Sequence, residues 1–331
     1  MKRFIDKNGT FEIKVPVTWR YSLNESEIHT FQEYDIWKHD AFQISFHNLD
    51  TPEKEKRFLA YTKSLTELKD VGDEVYRLQD KVEDDFTVKA WMKLCENKVV
   101  TFTLTHSNSP DGELDNQPID EKVSTVHSII SDFHLIDQDK SQDYINSYQF
   151  DMFIQGVGAT ALILNKAVEN KAFFEATCIL GNQIDALLRI AIVLKSQIIN
   201  SDSKIESEWI HQGLTDKKKS EKYVYKKALE LGIIDQNKYD ELFKLYEDRN
   251  RVIHRFIISN ITLAEVEKIA FSYYQMTDSI NKIVYDIEME QIRLGVGMTV
   301  LAQGETTEQS NSEYLKGKIG KLDYFDEKKD D

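Results

Sequence analysis

Two cysteines and four prolines in 331 residues leave little with which to brace a small or irregular fold. Cys95 and Cys178 sit among apolar neighbours with no CxxC partner, which excludes a disulfide framework and a cysteine zinc site and fits a reducing compartment. The longest apolar stretch, 152–164, is too short to cross a bilayer and contains Gln155. The opening residues, MKRFIDKNGTFEIKV, carry basic side chains but no apolar run, so a secretory signal is not expected. A cytoplasmic protein that does not engage a membrane is the expectation. Also absent are HExxH, GxSxG, a P-loop, an EF-hand loop, zinc-type Cys/His spacing and a GxGxxG turn between strand and helix. The sequence therefore calls for no metal and no cofactor.

What is present is charge, mostly of one sign. Lys and Arg number 42 against 57 Asp and Glu, a formal net of −15. A chain this acidic cannot coat nucleic acid, so any polyanion must be met by a local concentration of positive charge. Residues 1–138 carry a net of −9, residues 139–304 a net of −3 and residues 305–331 another −3. Within the middle segment, 217–227 holds six lysines with Glu221 as its sole acid. If an anion is handled anywhere, that neighbourhood is the first suspect. With 41% hydrophobic and 30% charged residues, the chain is globular, and its length fits two domains, each able to bury its own core.

The first segment alternates as strands do. Phe11, Ile13 and Val15 share one side, as do Phe42, Ile44 and Phe46; Phe86, Val88 and Ala90 lead into a β-branched run over 99–105, with Glu96-Asn97 as a hairpin turn. One helix starts after Thr51-Pro52, Thr capping and Pro in the first turn, and is expected to run through Phe58, Leu59, Leu65 and Leu68. Another follows Pro118, with Val123, Val126, Ile129, Ile130 and Phe133 on one side. The order predicts an α+β domain over 1–137, an antiparallel sheet with two helices. Its opening Phe-x-Ile-x-Val-Pro-x-x-Trp, Phe11 to Trp19, and closing Phe133-x-Leu135 resemble PsbP-like domains. That resemblance implies a sensing or adaptor module and no chemistry.

The segment 138–159 reads as a linker, and helical spacing then takes over. A near-continuous helix is expected over 171–199, interrupted only by Gly181. Shorter helices are expected over 204–211 and 217–231, the second closed by Gly232. Asp235 or Asn237 caps a helix through Leu242, Leu245, Val252 and Ile253, and Thr262-Leu-Ala-Glu265 is a capping box opening a last long helix. Residues 160–292 thus form an all-α bundle, and 293–331 a flexible acidic tail. Gly156-Val-Gly-Ala-Thr160 and Gly295-Val-Gly-Met-Thr299 look alike, either by chance or because they pair.

One cluster carries chemistry. Asp248-Arg-Asn-Arg-Val-Ile-His-Arg-Phe256 places three arginines, an amide and an imidazole within nine residues. Asn250 and His254 lie roughly 40° apart on a helix, whereas Arg249 lies about 140° from His254 and reaches that face only if its long side chain swings around. The set suits phosphodiester cleavage in RNA: an imidazole takes the 2′-hydroxyl proton or protonates the leaving oxygen, and a guanidinium holds the phosphate. One helix offers one histidine, so a two-fold dimer is needed to supply both acid and base.

Arg249-Asn250-x-x-x-His254 resembles the RNxxxH form of the Arg-x(4–6)-His motif of HEPN domains, the higher-eukaryote and prokaryote nucleotide-binding helical family. The resemblance covers 160–292. It implies a dimerising bundle and, in many members, a metal-independent endoribonuclease of toxin–antitoxin or anti-phage systems, with Arg249, Asn250 and His254 catalytic. Arg251, Arg255, Lys218, Lys222 and Lys226 are the candidate RNA contacts. A subgroup of the family has tyrosine two residues after the histidine, where this chain has Phe256, so control by modifying that residue is not implied. The competing reading is a dimeric scaffold that binds RNA, nucleotide or a protein without cutting. In it Arg249 and Arg251 pair with Glu247 or Asp248, His254 caps a helix end, and the lysines are a solvated face.

Overall fold

A computed structural model describes residues 1–33, 40–83, 85–107, 119–211 and 219–300. The expected tail is described only to 300, and His39, Lys217 and Lys218 also lie outside the described residues. The chain is an α+β unit followed by a helical unit, the division falling in the first turn of a helix, after Ser141.

The N-terminal unit runs β1 (Lys2–Ile5), β2 (Phe11–Val15), β3 (Trp19–Leu23), β4 (His29–Glu33), β5 (Ala41–Asn48), α1 (Pro52–Thr62), β6 (Thr66–Glu67), β7 (Val75–Arg77), β8 (Lys81–Val82), β9 (Phe86–Cys95), β10 (Lys98–Ser107), α2 (Ile119–Asp132) and β11 (His134–Leu135). It holds two antiparallel sheets rather than one: β1-β2-β11, and β3-β4-β5-β10-β9-β7-β6 with β8 beside β9. The alternation in β2 is realised, with Phe11, Ile13 and Val15 fully buried. Glu96-Asn97 makes the β9–β10 hairpin, pairing Lys98 with Cys95, and Glu96 takes a left-handed φ of 51°. Thr51 caps α1 and Pro52 opens it. The helix stops at Thr62, so Leu65 and Leu68 fall outside it, one on each side of β6. One core joins the sheets: Phe133 stacks on Phe11 of β2 at 5.7 Å and meets Phe102 of β10 edge-on at 5.1 Å, with Val126, Ile129 and Ile130 of α2 sealing it.

Among the described residues, the histidines of this unit are structural or surface side chains. His29 is buried and 3.0 Å from the Tyr21 hydroxyl, His127 accepts a hydrogen bond from Trp91 Nε1, His106 sits on Asp40, and His134 faces Glu12.

The helical unit comprises α3 (Ser141–Glu169), α4 (Phe173–Asn200), a 3-10 turn at Ser207–Trp209, α5 (Glu221–Glu230), α6 (Gln236–Arg255), α7 (Leu263–Leu294) and a second 3-10 turn at Met298–Val300. The segment read as a linker, 138–159, is mostly helix, because α3 begins at Ser141 and buries Asn146, Phe150 and Ala159. The helix expected over 204–211 is only the short turn at Ser207–Trp209. The two glycine-rich look-alikes play different parts: Gly156 and Gly158 are inside α3, whereas Gly295 ends α7 at a φ of 66°.

α4 is the hub, packed on α5, α6 and α7 and apolar on nearly every side, with Ile184, Leu188, Ala191, Ile192 and Val193 inaccessible. It is long and apolar enough to cross a membrane, but 72% of that apolar window is buried inside the bundle, as in a core helix. Three helix boundaries follow the sequence signals: Gly232 follows α5 at a φ of 67°, Asp235 caps α6, and Thr262 with Glu265 closes the capping box of α7; α5 itself starts later than the expected 217, at Glu221, where the Ser220 side chain caps it.

Candidate functional site on helix α6

α6 is amphipathic: Leu242, Leu245 and Val252 turn into the bundle, while the opposite face carries charge. His254 and Arg255 occupy its last turn, where the negative pole of the helix favours cations. His254, Arg251 and Arg255 are exposed and Asn250 is half-buried. The imidazole is thus open to solvent on the face it shares with Asn250. Arg251 reaches back to Asp248 Oδ1 at 3.2 Å, as the competing reading expects.

Arg249 does not join them. Its guanidinium turns into the bundle and forms a two-pronged ion pair with Glu221 at the start of α5: Nη1 donates to Oε1 at 2.6 Å and Nη2 to Oε2 at 2.5 Å. The side chains are 13% and 18% exposed, so the pair is largely out of water. The Arg249 guanidinium carbon lies 5.3 Å from the centre of the Tyr246 ring. Gly181 of α4 makes the approach possible, since a Cβ there would stand 2.8 Å from Arg249 Nη1 and 3.1 Å from its Cδ. The swing toward His254 is therefore not made; a helical offset of about 140° points the arginine at α4 and α5, where a carboxylate waits.

The surroundings are a polar island in an apolar bundle. Burial works against the charged guanidinium, but the hydrogen bonds and charge of Glu221 outweigh it, and the Arg249 pKa is raised. Burial raises the phenols of Tyr225 and Tyr273, with Glu221 adding to the effect. Asp185 is raised by burial against the pull of Arg189, which donates to its Oδ2 at 2.7 Å and to the Trp209 and Lys219 carbonyls. Cys178, half-buried like Cys95, has its thiol pushed up by burial, opposed by the charge of Arg249.

The basic run is less free than its composition suggests. Lys222 donates to Glu247 at 3.0 Å and lies over the Phe243 and Tyr246 rings at 4.2 and 4.6 Å. Lys219 pairs with Glu208 and lies over Trp209, while Lys226 is 3.8 Å from Glu230 and the most exposed of the three. Tyr223 stacks on Trp209 at 5.8 Å, and Tyr225 is core. Among the described residues no group of three or more His, Cys, Asp or Glu is placed to hold a metal.

Sequence reasoning missed Glu221 and Gly181, yet both left a trace. Glu221 is the one acid in a basic run, and Gly181 is the one break in a helix otherwise built for burial. A glycine inside a helix costs about 1 kcal/mol relative to alanine and usually marks a close approach.

No protein-family model matches the chain, and no curated protein does. Among solved structures, one match is a crystal structure of a protein from Bacteroides thetaiotaomicron VPI-5482, 13% identical over 56% of this chain and 76% of that one, with a TM-score of 0.32. A superposition of that quality carries no argument about fold or function.

Proposed function

We propose that the helical unit is a metal-independent endoribonuclease of the HEPN kind, acting as a dimer in a cytoplasmic toxin–antitoxin or anti-phage setting, with the N-terminal unit as a PsbP-like sensor or adaptor. The observation that supports this reading is the solvent-open imidazole of His254 beside Asn250, with Arg251 and Arg255 exposed on the same helix end. In the reaction, the His254 imidazole of one protomer takes the proton of a ribose 2′-hydroxyl as that oxygen attacks phosphorus. The imidazolium of the second copy protonates the 5′-oxygen as its bond to phosphorus breaks. The products are a 2′,3′-cyclic phosphate and a 5′-hydroxyl end. Arg251 and Arg255 hold the phosphate oxygens, and Asn250 orients the ring or the phosphate. Arg249 acts at one remove: paired with Glu221, it fixes α6 against α4 and α5. Lys222 and Lys226, with Lys218, guide the RNA backbone.

A second reading draws on the Arg249–Glu221 pair itself, since an arginine consumed by a buried carboxylate is what a non-catalytic member would have. In that case the dimer binds RNA, nucleotide or a protein and does not cut. Expression of the full chain in bacteria with mapping of RNA ends separates the two. The nuclease reading expects growth arrest and new 5′-hydroxyl ends with the wild type and neither with His254→Ala; identical end maps for the two chains overturn it.

A further inference from the structure

The turn between α6 and α7 carries two isoleucines into solvent, Ile257 at 95% and Ile258 at 81% exposure. Beside it, on the same helical unit, lies an apolar groove of about 1070 Å³ walled by the end of α3, the start of α4 and the first half of α7. Leu164, Phe173 and Leu180 form its floor, while Val168, Phe271 and Tyr274 stand along it more than half exposed. Knob and groove are joined through the start of α7 and a small cluster in which Phe256 meets Phe174 edge-on at 4.6 Å.

We propose that a second copy of this chain seats on this end of the bundle about a two-fold axis, the Ile257–Ile258 knob of each protomer entering the apolar groove of the other. Area is the first argument. Val168, Ile257, Ile258, Leu263, Phe271 and Tyr274, 52 to 95% exposed, leave on the order of 800 Å² uncovered, more than the roughly 300–600 Å² of a monomer's largest apolar patch and close to the roughly 800 Å² each partner gives a stable interface. Charge is the second. The knob follows Arg251, His254 and Arg255, and the groove mouth carries Glu169 and Glu267 with Lys268, so opposite signs meet when one protomer's knob enters its partner's groove. The third is what the axis does. His254 stands in the last turn of α6, and the end of that helix leads directly into the knob, so a two-fold there brings the two helix ends and their imidazoles toward one seam. The surface rests on the reading above only for the claim that the paired copies cut RNA.

Sedimentation velocity on the full chain tests it. The wild type is expected to dimerise at micromolar concentration. A knob variant, Ile257→Asp/Ile258→Asp, and a groove variant, Val168→Glu/Phe271→Asp, are each expected to weaken the dimer by roughly 100-fold or more. The changed side chains are more than half exposed, and an unchanged melting temperature verifies folding. Mixing the two variants is expected to recover a dimer, because the intact knob of one fits the intact groove of the other. A monomeric wild type, a knob variant that still dimerises, or a mixture that stays monomeric overturns the proposal. RNA cleavage is read on the same samples. A wild type that dimerises through this face and cuts nothing upholds the surface and overturns the nuclease reading, whereas one that cuts as a monomer overturns both the surface and the two-imidazole mechanism.

Discussion

Replacing Gly181 with alanine gives the most discriminating view of how α6 is held. In an unconstrained helix the change is favourable by about 0.5–1 kcal/mol, because alanine restricts the unfolded chain. Here the new methyl arrives 2.8 Å from Arg249 Nη1 and 3.1 Å from its Cδ, inside contact distance, while Nη1 is bound to Glu221 at 2.6 Å and the guanidinium faces the Tyr246 ring. Either the guanidinium leaves its carboxylate or α4 and α6 part, at a cost of about 1–3 kcal/mol for overpacking. The expected net effect is a loss of about 2 kcal/mol once the ion pair is strained as well. Arg249→Ala alone leaves Glu221 buried without its cation and is expected to cost about 3–5 kcal/mol. In that background the methyl has room, so Gly181→Ala is expected to stabilise by about 0.5–1 kcal/mol. The two substitutions therefore couple by about 2–3 kcal/mol. Urea unfolding followed by far-ultraviolet circular dichroism, which reports the helical unit, measures all four corners of the cycle. A Gly181→Ala protein as stable as the wild type, or one with the same increment in both backgrounds, refutes the reasoning.

Two further outcomes follow from the same structure. His29 and His127 have pKa values lowered by burial, opposed by Asp6 and Glu27 for the first and by Asp70 for the second, so the unfolded chain binds protons before the folded one does. Stability of the N-terminal unit is present above the ordinary histidine value of 6.5 and is lost as pH falls below it through the lowered folded values; urea midpoints at descending pH measure the slope, and His29→Gln/His127→Gln is expected to flatten it. Thr262→Ala removes the hydroxyl that accepts from Glu265 N at 3.2 Å and is expected to cost about 1 kcal/mol, read from thermal unfolding of the helical unit.

The parts of the fold written in short-range chemistry were legible. Period-two alternation marked β2, β5 and β9, a β-branched run marked β10, side-chain caps marked α1, α6 and α7, and Gly232 marked the end of α5. The parts set by partners distant in sequence were not. α3 was hidden because its first turns are polar and its middle holds Gly156 and Gly158, so neither propensity nor periodicity announced a helix that tertiary packing nevertheless sustains. The second sheet was hidden because β1 and β11 are short and exist through their pairing with β2. In the candidate site, the motif fixed which residues share α6 but not where each side chain goes. His254 stayed in solvent, while Arg249 found a carboxylate 28 residues earlier across a glycine. Rotation about the helix axis already separated the two; only the packed bundle supplies the reason the arginine stays inward.

The central claim is that an exposed imidazole on α6 transfers protons during RNA cleavage. Its most direct measurement is cleavage of end-labelled RNA by the purified full chain in excess chelator, wild type beside His254→Ala, with product ends identified. The account predicts 2′,3′-cyclic phosphate and 5′-hydroxyl ends from the wild type and loss of cleavage by at least about 100-fold in the variant, at unchanged melting temperature. Equal rates from the two proteins, or no cleavage by either, would contradict it.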